Sequence, residues 1–215
     1  MKLARGSYTW ILIPCVLGIL LLFVALVFAT TSFFAIAVFF SFILLLLTMW
    51  FLVFFRDPER TVGKGIVAPA DGTIRSITTT TENDQPYTCI STFMNIHNVH
   101  VNRMPLDGTV EEMTRVPGSH LPAFTKESEK NERVVITLDT SIGRVKVVQI
   151  AGTVARRIVP YIKKGDMLKK GQRIGIIRLG SRVDIYLPTK AIKHLTVRVA
   201  DHIRAGEDTL AEINA

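Results

Sequence analysis

Hydrophobic and polar positions alternate in two quite different ways along this chain. From Trp10 to Ala29 and again from Phe33 to Phe55 there is no charged residue. Each run is about 20 residues long, enough for a helix to cross roughly 30 Å of hydrocarbon. Neither run carries the polar face that a core helix of a soluble protein presents to water. A secretory leader has a shorter apolar region and is not followed at once by a second span. Only Thr30, Thr31 and Ser32 separate the runs, so the pattern predicts a tight transmembrane hairpin over residues 1–55, with spans at about 10–29 and 33–55.

Past the segment FFRDPERTVG, where Pro58 stops any continuing helix, the period changes to that of strands. Short runs rich in Val, Ile and Thr lie at 65–68, 72–77, 87–93, 98–103, 108–113, 133–138, 144–150, 173–178, 182–187 and 195–199. Gly, Pro, Asn and Asp-Gly punctuate them. About ten short strands in one domain, with no helix of four or more turns, predict an all-β sandwich or barrel over residues 56–215. The fold class is therefore mainly β, behind an N-terminal helical hairpin. Within YIKKGDMLKKGQRIGII, the turns Gly165-Asp166 and Gly171-Gln172 predict a β-hairpin of the kind found in lipoyl-like sandwiches. GIVAPADGTIRSI and VQIAGTVARRI form a faint internal echo, each with a turn before a Gly-Thr strand.

Charge sharpens this picture. The net charge is +8, yet residues 1–55 hold only Lys2 and Arg5 and no acidic residue. The basic remainder favours an anionic surface. Nucleic acid is set aside, because basic and aromatic residues do not interleave and the hairpin points to lipid. Lys2 and Arg5 precede the first span, and Arg56, Arg60 and Lys64 follow the second. The positive-inside bias then predicts both ends, and the whole downstream domain, on the cytoplasmic side of a cell membrane. Arg56, Arg60, Lys64, Arg156 and Arg157 are candidate contacts for lipid phosphates. Cys15 and Cys89 are too few for a disulfide framework, which suits a reducing compartment.

Candidate chemistry gathers at three places. Pro69-Ala70-Asp71-Gly72 is a turn presenting a carboxylate, His97-Asn98-Val99-His100 supplies two imidazoles, and Gly180-Ser181 opens a strand. Alone, each has an ordinary structural reading: Asp-Gly is a common hairpin turn, and Gly-Ser is a bland one. Together they hold the parts of a base-activated hydroxyl, in which a carboxylate orients an imidazole that accepts the serine proton. No Cys or Glu lies near the histidines to complete a zinc site, so no metal is expected. Residues i and i+3 of a strand face opposite sides, so a shared pocket for His97 and His100 requires a bulge or turn at Asn98 or Val99.

The ordered set FFRDPER, PADGTI, HNVHVNR, AFTKESEKNER, VARRIV…KKGDMLKKGQRIGII and LGSRVDIYLP resembles the short form of the phosphatidylserine decarboxylase proenzymes, and archaetidylserine-specific relatives look nearly the same. The resemblance implies self-cleavage between Gly180 and Ser181, leaving chains 1–180 and 181–215 associated and Ser181 converted to a covalent pyruvoyl cofactor. That ketone would form a Schiff base with the serine head group of a phospholipid substrate and draw off the charge as CO2 leaves. It further implies that Asp71 and His100 activate Ser181 and that His97 is needed for decarboxylation, where an imidazole that works near neutrality is the candidate to return a proton to carbon. Asn131 and Arg133, of the Asn-Glu-Arg motif, are matched to substrate binding, and a homo-oligomer is compatible with the resemblance. Two other readings remain open on the residues alone. A membrane-tethered lipoyl-like adaptor explains the hairpin and strands without Asp71, His97, His100 and Ser181. A serine hydrolase lacks its Gly-x-Ser-x-Gly elbow.

Overall fold

Uninterrupted hydropathy becomes two helices, α1 (Tyr8–Val27) and α2 (Phe33–Phe54), in a computed structural model. The structure describes all residues except 1, 30–32, 120, 122–129, 153–156, 179, 180 and 215. It divides into two compact units, Met1–Pro58 and Glu59–Ala215.

In the first unit the helices meet through small residues. Gly18 and Ala25 of α1 and Ala37 and Ser41 of α2 are buried, whereas Leu12, Phe23, Phe40 and Met49 point outward. A Cβ on Gly18 would stand 3.2 Å from Leu44 and Leu45, so glycine permits the close approach. The Ser41 hydroxyl donates to the Gly18 carbonyl at 2.7 Å, spending its one donor inside the hairpin. Both helices are long and apolar enough to cross a membrane. At the open end, β1 (Lys2–Leu3) pairs antiparallel with β2 (Arg56–Asp57), so the two ends of the hairpin lie side by side.

The second unit is built on an eight-stranded antiparallel sheet. Its order is β11 (Met167–Leu168), β7 (Gly108–Val116), β8 (Arg133–Thr140), β9 (Gly143–Ala151), β13 (Ser181–Pro188), β5 (Gln85–Met94), β4 (Gly72–Glu82) and β15 (His202–Ile203). Two three-stranded sheets accompany it. One is β10 (Ile158–Pro160), β12 (Arg173–Ile177) and β6 (Val101–Arg103); the other is β14 (Ile192–Leu195), β16 (Thr209–Ile213) and β3 (Ile66–Val67). Alternation decides which face is inward. Val134, Ile136 and Leu138 of β8, with Val183, Ile185 and Leu187 of β13, share one core with Ile174 of β12 and Leu210 of β16. The β4–β5 hairpin turns at Asn83 and Asp84, both at positive φ (48° and 59°), as a two-residue turn with the strands' own twist requires.

The mainly β fold behind a helical hairpin agrees with the sequence pattern, and the differences are local. No hairpin forms across Gly171: β11 pairs with β7 and β12 with β6 and β10, so the two runs join different sheets. The expected strand at 195–199 is instead the end of β14 followed by a turn with Ala200 at φ 77°. The strand expected from Asn98 begins only at Val101. Of the internal echo, residues 153–156 of the second copy lie outside the described residues.

Candidate functional site

Ser181 is the first residue of β13 and is completely buried. It shares the inward face with Val183 and Ile185, and its register partners are Met94 on β5 and Ala151 on β9. Its hydroxyl donates to the Met94 sulfur at 3.3 Å. A thioether is a weak acceptor and no base, so in this arrangement the hydroxyl is held but not activated. Gly180, the other half of the expected scissile pair, lies outside the described residues.

One histidine sits within a tight turn and the other just beyond it. The Asn98 N–H donates to the Asn95 carbonyl at 2.9 Å, while the Asn98 and Asn95 side chains accept from the Asn95 and Ile96 N–H groups at 2.8 and 2.7 Å. Strand alternation therefore does not apply between His97 and His100. His97 is exposed on the turn and His100 is completely buried beyond it. His100 Nδ1 lies 2.9 Å from the Asn98 carbonyl oxygen. A carbonyl can only accept, so Nδ1 carries a proton, and in the neutral imidazole Nε2 has the lone pair a base needs. The His100 carbonyl in turn accepts from Ile177 N–H at 3.3 Å, tying the histidine to the end of the strand that leads to Ser181.

Asp71 is placed differently from the sequence expectation. Its carboxylate is gripped by both Nη atoms of Arg60 at 2.8 Å and by the Ala205 N–H at 2.8 Å. Among the described residues its hydrogen bonds go there, and the one that sets the His100 tautomer comes from Asn98. Arg60 is thus buried in an ion pair with Asp71 instead of facing lipid. The turn still reaches the histidine segment through its backbone, because the Pro69 carbonyl accepts from Arg103 N–H at 2.9 Å. Gly72 lets the start of β4 close against β5: a Cβ there would fall 2.1 Å from the Phe93 carbonyl oxygen.

Asn131 and Arg133 separate. The Asn131 carboxamide is completely buried; Oδ1 accepts from Ser119 Oγ and Leu121 N–H at 2.9 and 2.8 Å, and Nδ2 donates to the Leu121 and Ala151 carbonyls at 2.7 and 2.8 Å. Two donors and two lone pairs exhaust that side chain, so it acts as a strut beside Ser181, with no capacity left for a head group. Arg133 stands on the outer face of the sheet. It is opposite Ile150, which is opposite Arg182, while Ser181 points inward. That outer face holds a charged groove lined by Arg133, Lys146, Arg182, Asp184 and Tyr186. Within it Arg182 clamps Asp184 at 2.7 and 2.5 Å. Of the candidate lipid contacts, Arg156 lies outside the described residues.

Three inward polar residues, Thr92, Asn102 and Gln149, went unmarked in the sequence. Asn102 Nδ2 is 3.7 Å from the Met94 sulfur, and Asn102 Oδ1 accepts from Gln149 Nε2 at 2.7 Å. With Thr92 and Met94, these two residues line the core around Ser181. The signal was available: in Ile90-x-Thr92-x-Met94 and Val145-x-Val147-x-Gln149, a polar residue takes an inward step of an otherwise apolar alternation.

The comparisons with known proteins converge on one family. The phosphatidylserine decarboxylase family model matches residues 47–211. The phosphatidylserine decarboxylase proenzyme of Streptomyces avermitilis is 54% identical over 138 residues, 64% of this chain and 63% of that protein. The chain thus spans somewhat under two thirds of that relative's length. That of Thermobifida fusca is 48% identical over 158 residues, 73% of this chain and 70% of its own. A protein of Halobacterium salinarum, provisionally named archaetidylserine decarboxylase proenzyme, is 42% identical over 213 residues, 97% of this chain and 99% of its own. The chain belongs to the phosphatidylserine decarboxylase family.

Proposed function

We propose that this chain is a self-processing, membrane-anchored decarboxylase of a serine phospholipid, either phosphatidylserine or archaetidylserine. The observation that carries this reading is Ser181, buried at the start of a strand within a chain matched to the family over residues 47–211. Residues 1–55 would anchor it and residues 56–215 would hold the chemistry, on the cytoplasmic side.

Processing begins when the Ser181 hydroxyl leaves the Met94 sulfur and gives its proton to His100 Nε2. Its oxygen then attacks the Gly180 carbonyl, and the Gly180–Ser181 C–N bond breaks as the ester forms. Elimination frees the chain as its Gly180 carboxylate and leaves dehydroalanine, which takes up water and loses ammonia to give the pyruvoyl group. Asn98 keeps His100 in the required tautomer. Asp71, locked by Arg60 and Ala205, acts by holding the turn against the histidine segment through the Pro69 carbonyl. The pieces have reason to stay together: β13, in the chain 181–215, is zipped between β9 and β5 of the chain 1–180.

A pyruvoyl group at residue 181 would supply an electron sink for the charge left as carbon dioxide departs. The surroundings fit one. The position is buried between Met94 and Ala151, and the buried Thr92 hydroxyl, which has no hydrogen-bond partner among the described residues, lies two residues along the same face and can donate to a ketone. His97, exposed on the turn, is the candidate to return a proton to the reacting carbon. Burial of Ser181 would keep bulk water from competing for that step. The test is release of carbon dioxide from carboxyl-labelled lipid by purified protein, with both the diacyl and the archaeal ether lipid supplied. Release from one or both supports the reading; release from neither ends it.

A further inference from the structure

Two positions break the apolar alternation on the inward face of the large sheet. Thr92 of β5 and Gln149 of β9 are completely buried, and both are register partners of the same residue, Val183. They therefore bracket Val183 and are diagonal neighbours of Ser181 on one face of β13, a spacing that long side chains span. Among the described residues, the Thr92 hydroxyl and Gln149 Oε1 make no hydrogen bond. The other end of the Gln149 amide is fixed, since Nε2 donates to Asn102 Oδ1 at 2.7 Å and Asn102 Nδ2 turns to the Met94 sulfur. Oε1 is thereby directed away from Asn102. Gly175 leaves room for this amide between the sheets, because a Cβ there would stand 3.1 Å from Nε2.

Buried polar atoms are almost always paired, because an unpaired one has given up water and received nothing in exchange. Two of them flanking the strand that begins at Ser181, inside an apolar layer, call for a ligand that brings donors. We infer that Thr92 Oγ1 and Gln149 Oε1 form a subsite for the amine of the substrate's amino-acid head group, an inference that rests on the function proposed above. An amine brought to residue 181 carries N–H donors into a place without bulk water, and these two oxygens accept them. A carboxylate carries only acceptors and is turned away by Oε1. The subsite therefore selects which end of the head group faces residue 181, and a quaternary ammonium, which has no N–H, does not satisfy it.

The test uses the full-length protein in detergent micelles, wild type beside Thr92→Val and Gln149→Met, with thermal unfolding measured first. Kinetics with phosphatidylserine follow on the processed fraction, with phosphatidylcholine as competitor. Thr92→Val replaces an unpartnered buried hydroxyl with a methyl of similar size, so its Tm should equal or exceed that of wild type. Its KM should nevertheless rise about tenfold, the loss of one hydrogen bond to a charged donor, with kcat nearly unchanged. Gln149→Met also loses the bond to Asn102, so it should lower Tm while raising KM to a similar extent. Phosphatidylcholine should compete poorly against wild type. A Thr92→Val protein with a lower Tm and an unchanged KM would show a purely structural hydroxyl and overturn the subsite, as would unchanged KM in both variants. Wild-type protein that releases no carbon dioxide at all overturns the proposed function itself, and this subsite with it.

Discussion

Arg60 holds Asp71 through two parallel hydrogen bonds in a site where both side chains are more than nine-tenths buried. Removing one member of such a pair leaves the other charge without compensation, a cost of about 3–5 kcal/mol. Arg60→Gln should lower unfolding stability by that order and slow self-cleavage, and Arg60→Lys should not restore it, since an ammonium cannot reproduce the fork. Denaturant unfolding with electrophoresis of the same samples checks both. On the outer face of the sheet, burial and then the Asp184 carboxylate push the Cys89 thiol up to about 11, and burial followed by Cys89 raises the Tyr186 hydroxyl. The unfolded thiol ionises first, near its ordinary value of about 8.5. Its contribution to stability is thus complete below that pH and is lost as pH rises towards about 11. Cys89 should accordingly alkylate far more slowly at pH 8 than a model thiol, as mass spectrometry of iodoacetamide-treated native protein can read.

At the scale of elements, Asn131 joins Ser119 and Leu121 to Ala151, the β9 residue opposite Ser181. Asn131→Leu strands several buried backbone groups, so a loss of about 2–4 kcal/mol is expected in denaturant unfolding, together with slower cleavage. Strands were legible wherever alternation was long, as in Val134, Ile136 and Leu138, because an inward face needs no knowledge of its partner. Pairing was not. β11 is two residues long and is fixed by a distant register, Met167 opposite Thr109, with Gly165 N–H on the Val110 carbonyl. Local turn chemistry at Gly171 therefore pointed to the wrong neighbour. Asp71, His100 and Ser181 stood out as residue types in motifs, but the Arg60 clamp and the Thr92–Gln149 bracket depend on residues far apart in sequence meeting across strands. Asn131 was noticed for its motif, whereas the saturation of its amide shows only in its hydrogen bonds.

For the whole molecule, the two N-terminal helices were the most legible part, because an unbroken apolar run of about 20 residues predicts a long helix without knowledge of its tertiary partners. The pairing of Lys2 with Asp57 brings both ends of that hairpin to one side. If the second unit faces the cytoplasm, an added protease should spare it in intact spheroplasts and digest it in inverted membrane vesicles; the reverse pattern would refute the orientation. The central claim concerns Ser181, and the intact mass of purified wild-type protein beside Ser181→Ala tests it most directly. Wild type should resolve into two chains parting between residues 180 and 181, the smaller with a blocked, ketone-bearing N-terminus, while Ser181→Ala stays whole. An undivided wild-type chain that still decarboxylates its lipid, or a variant that divides at the same bond, would contradict the account.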